Sequence, residues 1–148
     1  TILFVAASDV YKRQLINKIK ELGISNLKII QHDAVEVIEK MIADNSLNGV
    51  HIFFPDPWHK KRHNKRRLIK ADFLNKLALK LKEGAYLHIA TDWEDYASWI
   101  LDESDKCNTL ALKGEDFHSK PDYRPYTKYE KRGVNLGHKV WDIIFLRA

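Results

Sequence analysis

The sequence has little of what membrane-bound and disulfide-stabilised proteins need. Its single cysteine, Cys107, excludes an internal disulfide. No apolar run approaches the roughly 20 residues that cross a membrane, and no signal-peptide pattern occurs. At 148 residues the chain has the size of one domain, with 45% hydrophobic residues to build a core. These features predict a soluble, cytoplasmic protein without membrane association, and they leave both a monomer and a homodimer open.

Several familiar chemical sites are also absent from the sequence. Cys107 stands in a polar stretch with no histidine nearby, which argues against Cys–His nucleophilic catalysis. His59 and His63 have the spacing of a helical zinc pair, but cations surround them and no third ligand follows, so we expect no metal. Neither a Gly-x-Gly-x-x-Gly loop nor a Gly-Lys-Ser/Thr loop occurs. A nucleotide-type cofactor would therefore need residues upstream of Leu15.

The first 14 residues lack a clear cap or turn pattern. Within them DVYKRQ, from Asp9 to Gln14, is also the translation of GATGTGTATAAGAGACAG, part of a transposon end used to prepare sequencing libraries. We therefore treat residues 1–14 as a doubtful segment, a possible sequencing-adaptor artefact, and interpret residues 15–148.

Apolar periodicity in the remaining chain predicts alternating helices and strands. The predicted helices are residues 15–22, 34–43, 69–81 and 93–101, and the predicted strands are residues 27–30, 50–54, 85–90 and 139–146. Gly23 and Gly84 are expected to end the first and third helices, and residues 106–138 have a loop-like pattern. The alternation predicts an α/β domain with a mostly parallel sheet.

Three predicted strands end beside an aspartate: Asp33, Asp56 and Asp92. Ligands bind at the carboxyl ends of strands in such sheets, so the three carboxylates could form one site. Helix capping is the simpler interpretation for Asp33 and Asp92, taken singly. Capping explains Asp56 poorly, because Pro57 follows it and the next predicted helix begins much later.

Positive charge is concentrated directly after Asp56. The basic run, His59–Arg67, contains six of the Lys and Arg residues and no acid. Without those six charges the formal net charge of +5 becomes −1. Like charges this close repel one another, so a polyanion explains the basic run better than a solvated surface does. It predicts contact with nucleic-acid phosphates.

Five stretches of the chain, in order, resemble the bacterial tRNA (guanine-N7)-methyltransferase family. They are NLKIIQHDAVEVI, FFPDPWHKKRHNKRR, HIATDWEDYA, RPYTKYEKRG and LGHKVWDIIF. The resemblance implies a Rossmann-like class I fold, S-adenosylmethionine (SAM) as cofactor, and methylation of a guanine in the tRNA variable loop. It further implies that residues 15–148 are a partial methyltransferase domain.

The resemblance also implies roles for individual residues. Asp56 would be the catalytic residue beside the methyl donor, and Asp33 together with Asp56 would bind the cofactor. Contact with the substrate is implied for six residues, and contact with RNA for six more. The substrate set is Lys60, Asp92, Thr127, Lys128, Tyr129 and Glu130, and the RNA set is Arg62, His63, Asn64, Lys65, Arg66 and Arg67.

The sequence departs from the family pattern in two places. Tyr129 stands where the family usually has Phe, which keeps an aromatic face. The family's acidic-x-Gly-x-Gly loop, and the acid-ended strand after it, cannot be read here. The resemblance therefore implies an N-terminally truncated or chimeric fragment that lacks the first strand or strands. Three alternatives stay open: a methyltransferase acting on exocyclic amines, an RNA-binding domain without catalysis, and an inactive fragment.

Overall fold

The computed structural model describes residues 2–5 and 12–148, which form alternating strands and helices. The strands are β1 (Ile2–Val5), β2 (Leu27–Ile30), β3 (Leu47–Phe53), β4 (Leu81–Thr91), β5 (Leu110–Leu112) and β6 (Trp141–Arg147). The α-helices are α1 (Lys12–Glu21), α2 (Ala34–Lys40), α3 (Ala71–Lys80), α4 (Glu94–Ser104) and α5 (Lys128–Asn135), and a 3-10 helix spans Lys61–Arg66. None of the helices in this described part is long and apolar enough to span a membrane.

The chain divides into two compact units, and the first covers Thr1–Ile42. In it β1 and β2 pair in parallel. Helix α1 ends as predicted, because Gly23 adopts a left-handed conformation with φ 62°. Residues 2–5 and 12–14 of the doubtful segment are thus described as a strand and the start of a helix. The rest of that segment, with half of DVYKRQ, lies outside the described residues.

The second unit, Ala43–Ala148, contains a four-stranded sheet in the order β3-β4-β6-β5. Strands β3 and β4 are parallel, whereas β6 pairs antiparallel with both β4 and β5. The α/β class predicted from the sequence is confirmed. The prediction of a mostly parallel sheet needs correction, because the sheet of this unit is mixed. The chain reaches β6 through the long segment after α4 and enters this strand from the opposite end.

The core of the second unit lies on one face of this sheet. Leu87 pairs with Phe145 and Ile89 with Ile143, so the four side chains share a face, and all are fully buried. Helix α3 packs against β4 and β5, and helix α4 packs against β4 and β6. Their buried residues include Leu74, Leu77, Tyr96 and Ile100. The other face of β4 and β6 carries the buried polar residues His88 and Asp142.

Apart from β2, the bounds of the predicted elements differ from the structure by one or more residues, and two differences change the type of element. Gly84, expected to end the third helix, lies within β4. The third helix was expected to continue to Leu81, but it ends at Lys80, and Leu81 begins β4 by pairing with Leu47. Leu81 therefore follows its pairing with β3, although the apolar four-residue repeat predicted a helical conformation for it. The segment predicted as loop, residues 106–138, contains both β5 and α5.

Candidate active site and RNA interface

Two of the three predicted aspartates leave the sheet at the same edge. Phe53 at the end of β3 is in register with Ala90 of β4, and the Phe54 N–H donates to the Ala90 carbonyl oxygen at 2.8 Å. Asp56 follows this pair on one strand and Asp92 follows it on the other. The parallel register therefore brings both turns to the carboxyl edge of the second unit.

The turn that carries Asp56 has an unusual backbone. Phe54 and Trp58 have positive φ angles of 53° and 43°, which bulky residues rarely adopt. Asp56 Oδ1 accepts a hydrogen bond from the Trp58 N–H at 2.9 Å, closing an Asx turn. The carboxylate is exposed, and Oδ2 takes no hydrogen bond within the described part of the chain. Strained backbone of this kind is commonly found at functional sites.

Arg67 holds this turn in place from inside the protein. Its side chain is fully buried, and Nε donates to the Pro57 carbonyl oxygen at 2.8 Å. Nη2 donates to Asp95 of α4 at 2.6 Å. The guanidinium lies 4.9 Å from the ring centroid of Tyr96 and 5.0 Å from that of Trp99. Arg67 therefore joins the Asp56 turn to α4, and the burial of its side chain removes it from the predicted RNA contacts.

The rest of the basic run wraps around Trp58. Arg66 lies 5.1 Å above the Trp58 ring, and the His63 ring packs edge-on against it with centroids 5.9 Å apart. The Asn64 amide, oriented to donate, lies 2.9 Å from the Trp58 carbonyl oxygen. His63 and Asn64 are half-buried, and five cations of the segment are exposed to solvent. These are Lys60, Lys61, Arg62, Lys65 and Arg66.

Asp92 does not cap the helix that follows it, so the capping interpretation is wrong for this residue. The Trp93 N–H instead donates to Thr91 Oγ1 at 3.2 Å. Asp92 Oδ2 lies 3.3 Å from His138 Nδ1. Asp92 Oδ2 also lies close to α5, because a β-carbon added to Gly133 would be only 3.0 Å from this oxygen. The carboxylate therefore faces α5 and the loop after it.

Helix α5 begins within the TKYE stretch. The Glu130 N–H donates to Thr127 Oγ1 at 3.1 Å, which caps the helix. Lys128 and Tyr129 are exposed, whereas Glu130 is buried. Glu130 accepts two hydrogen bonds from Arg124, at 2.7 and 2.9 Å. Glu130 thus anchors α5 and is not available for the substrate contact implied by the resemblance.

A buried polar network connects Arg124 to the sheet. Arg124 Nη2 donates to Asp142 Oδ2 at 3.0 Å, and Asp142 Oδ1 lies 2.7 Å from His88 Nε2. The Tyr123 hydroxyl lies 3.0 Å from His88 Nδ1. Burial alone would raise the pKa of Asp142, but the His88 and Arg124 bonds outweigh it and lower that pKa. The network places the start of α5 over the polar face of the sheet.

Asp33 belongs to the first unit. It caps α2, because its Oδ1 accepts hydrogen bonds from Val35 N–H at 2.9 Å and Glu36 N–H at 3.1 Å. The capping interpretation is confirmed for this residue. Oδ2 takes no hydrogen bond within the described residues, so one oxygen remains open to a ligand.

The structure brings most predicted residues of the second unit to one edge. Arg67 and Glu130 are instead buried, and they hold the Asp56 turn and helix α5 in place, respectively. No role was predicted for Arg124, Asp142 and His88, although each lies in a stretch that resembles the family. Their contacts join residues far apart in sequence, and no local pattern indicates such contacts. Among the described residues, no group of three His, Cys, Asp or Glu side chains could hold a metal ion.

Comparisons with known proteins identify the family of the chain. The model of the family described as "Putative methyltransferase" matches residues 5–143. The chain belongs to this methyltransferase family. The resemblance predicted from the sequence is confirmed at the level of a methyltransferase family.

Relatives of this methyltransferase chain carry a more specific name. A Methylobacillus flagellatus tRNA (guanine-N(7)-)-methyltransferase is 62% identical over 133 residues, covering 90% of the chain and 56% of that protein. The enzyme of the same name from Chromobacterium violaceum is 58% identical, covering 90% of the chain and 59% of that protein. The chain spans about half the length of the curated relatives it matches.

Solved methyltransferase structures share the fold. An rRNA methylase from Streptococcus thermophilus aligns with a TM-score of 0.65 at 10% identity, covering 99% of the chain and 73% of that protein. A Streptococcus mutans protein in complex with SAH aligns with a TM-score of 0.65 at 9% identity, covering 100% of the chain and 76% of that protein. The Rossmann-like methyltransferase fold is thereby confirmed.

Proposed function

We propose that the chain transfers a methyl group from SAM to N7 of a guanine in the tRNA variable loop, in the cytoplasm. The observation that carries the proposal is the Asp56 turn. It presents one carboxylate oxygen outward from the carboxyl edge, directly before a run of exposed cations. The relatives named tRNA (guanine-N(7)-)-methyltransferase support this substrate and reaction.

The chemistry of two carboxylates fits SAM. Asp33 stands after a strand of a parallel pair and keeps Oδ2 open, so it can accept a hydrogen bond from the adenine amino group. Asp56 can lie beside the methyl donor. When bound, SAM supplies a methyl group on a positively charged sulfur, and that sulfur leaves with the electrons of the broken S–C bond. A related fold binds the demethylated product SAH in the Streptococcus mutans protein, which agrees with this cofactor.

Asp56 acts by positioning and charge. Guanine N7 carries a free lone pair at the major-groove edge, so no base has to deprotonate it before it forms the new N–C bond. The methylated ring is cationic. Asp56 Oδ2 can accept hydrogen bonds from the guanine N1–H and amino group, which orients the base and offsets the charge that develops on the ring.

The surrounding residues divide between substrate and RNA. We assign phosphate contacts to Arg62, Lys65 and Arg66, because these cations are exposed. His63 and Asn64 hold Trp58 in position beside them. We assign guanine and ribose contacts to residues at the same edge that remain at least partly accessible. These are Lys60, Asp92, Thr127, Lys128 and Tyr129.

The test measures methyl transfer and RNA binding separately on a transcribed tRNA. Incorporation of labelled methyl groups at saturating tRNA gives the transfer rate, and m7G-specific chain cleavage locates the modified base. Asp56→Ala is expected to slow transfer about 10²- to 10³-fold, as removal of one charge-stabilising group typically does, and to leave tRNA affinity nearly unchanged. Asp102→Ala is the matched control, because Asp102 is an exposed carboxylate near the other end of α4.

Replacement of exposed cations should have the opposite effect. Arg62→Ala combined with Arg66→Ala is expected to weaken tRNA binding and to lower the slope of log affinity against log salt by about 2, roughly one unit for each phosphate contact. Transfer at saturating tRNA should persist. Equal losses of binding and transfer in both variants would contradict this division of roles. Wild-type tRNA binding without any methyl transfer would favour an RNA-binding domain.

A further inference from the structure

Helix α5 presents a cationic surface that extends past Lys128 and Tyr129, the exposed residues of the TKYE stretch, to Lys131 and Arg132. Lys128, Lys131 and Arg132 are exposed. Lys131 and Arg132 follow Lys128 by three and four residues, which places each of them beside Lys128 on the helix. With 3.6 residues per turn they occupy an arc of about 100°. The buried residues Glu130 and Gly133 lie on the opposite side of the helix.

The orientation of this surface is fixed from inside the protein. Glu130 is the only acid of α5, and its two hydrogen bonds to Arg124 hold it in the interior. The buried pair therefore determines which side of the helix faces outward. It also removes the one carboxylate that could have neutralised the outer cations.

In three of the other α-helices, one cation pairs with an acid one turn away. Lys18 pairs with Glu21 in α1, Lys40 with Glu36 in α2, and Lys76 with an acid one turn earlier in α3. Within the described part of the chain, no carboxylate pairs with the three cations of α5. Like charges at this spacing oppose helix formation, so an anionic partner would stabilise the helix.

Aromatic side chains lie beside these cations. Tyr126 is 46% exposed and Tyr129 is 63% exposed, and Lys131 Nζ lies 5.8 Å from the Tyr126 ring centroid. Cations beside exposed aromatic rings suit single-stranded RNA, in which phosphates meet the cations and unpaired bases stack on the rings.

We propose that these five residues, Tyr126, Lys128, Tyr129, Lys131 and Arg132, form a second RNA-binding surface, the α5 surface. The inference rests on the proposed tRNA substrate. The inner side of helix α5 contacts Asp92 through Gly133, on the polar face of the sheet, so the α5 surface lies on the outer side of a helix beside Asp92. Arg67 links the basic run to α4, on the apolar face. RNA held by both would cross the carboxyl edge where Asp56 and Asp92 lie.

The experiment measures binding of fluorescently labelled tRNA transcript to the chain by anisotropy at several salt concentrations. The test variant combines Lys128→Gln, Lys131→Gln and Arg132→Gln. A control variant removes the same charge from exposed lysines elsewhere, through Lys20→Gln, Lys28→Gln and Lys82→Gln. A second control keeps the charge of the α5 surface, through Lys128→Arg, Lys131→Arg and Arg132→Lys.

Loss of two or three phosphate contacts should raise the Kd of the test variant tenfold or more and lower the salt slope by about 2. Both controls should stay within about twofold of the wild type. Equal weakening of the test variant and the Gln control, or weakening of neither, would overturn the α5 surface while leaving the proposed function intact. Loss of binding in the charge-keeping variant would also overturn it, because the effect would then come from structure. A wild-type chain that does not bind tRNA refutes the proposed function itself.

Discussion

Arg67 and Arg66 are neighbours in the basic run, and the structure predicts opposite consequences when each is replaced. Arg67 is buried and bonded to Pro57 and Asp95, whereas Arg66 is exposed and lies over the face of Trp58. We therefore expect Arg67→Ala to destabilise the second unit and Arg66→Ala to weaken RNA binding. The pair forms a matched comparison, because each variant loses the same side chain from the same segment.

The expected loss for Arg67→Ala follows from its contacts. A hydrogen bond from a charged donor contributes about 1.5–3 kcal/mol, here to the Pro57 carbonyl. Stacking of the guanidinium on two aromatic rings adds about 1–2 kcal/mol. The ion pair adds little, because the Asp95 side chain is 69% exposed and stays solvated after the change. The free energy of unfolding should fall by about 3 kcal/mol, since such contributions do not add fully.

The assay is urea unfolding followed by tryptophan fluorescence. All four tryptophans lie in the second unit, so the signal reports on the unit that contains Arg67. Arg66→Ala should change the free energy of unfolding by less than about 0.5 kcal/mol, as is usual for surface substitutions. It should instead lower the salt slope of tRNA binding by about one unit. Similar unfolding free energies for the two variants, with equal losses of RNA affinity, would refute the structural role of Arg67.

The buried network beneath α5 supports two further predictions. Glu130→Gln leaves the buried Arg124 with one charged partner fewer, so the free energy of unfolding should fall by about 3 kcal/mol. The control Glu115→Gln, at an exposed position, should cause almost no change. Equal urea midpoints for the two variants would contradict the structural role of the Arg124–Glu130 pair. The lowered pKa of Asp142 means that its contribution to stability is present above the unfolded pKa of about 3.9 and is lost as pH falls through the folded pKa. The difference in unfolding free energy between wild type and Asp142→Asn should therefore narrow between pH 5.5 and pH 3, and a constant difference would show that the carboxylate contributes nothing through its charge.

Local patterns were sufficient to predict the elements that carry the strand-end aspartates. Strand β2 spans the predicted residues, and Gly23 ends α1 with the positive φ that glycine tolerates best. The turn at Asp56 was readable because an apolar strand ends in Asp-Pro. These features depend on neighbours in sequence, so a single chain reveals them.

Helix α5 could not be predicted from the same kind of pattern. The residues that it buries are Glu130 and Gly133, so no apolar stripe repeats at helical spacing. Its stability depends on Arg124 and on Asp142, which lies 12 residues beyond Glu130. It also depends on the Thr127 cap, and in sequence Thr127 looks like any threonine in a loop. Position in the fold, not residue type, likewise separates Arg67 from Arg66.

Two buried arginines therefore organise the candidate site, and each does so with geometry that a lysine could not reproduce. Arg67 donates in two directions while its planar group lies against two rings, and Arg124 binds Glu130 with two parallel hydrogen bonds. One fixes the turn that carries Asp56, and the other fixes the helix beside Asp92. We infer that the positive charge near the carboxyl edge has two functions. Buried guanidinium groups hold the segments around the carboxylates in place, and in the proposed function the exposed cations bind the RNA backbone. This division explains why the strand end is followed by more positive charge than a solvated loop requires.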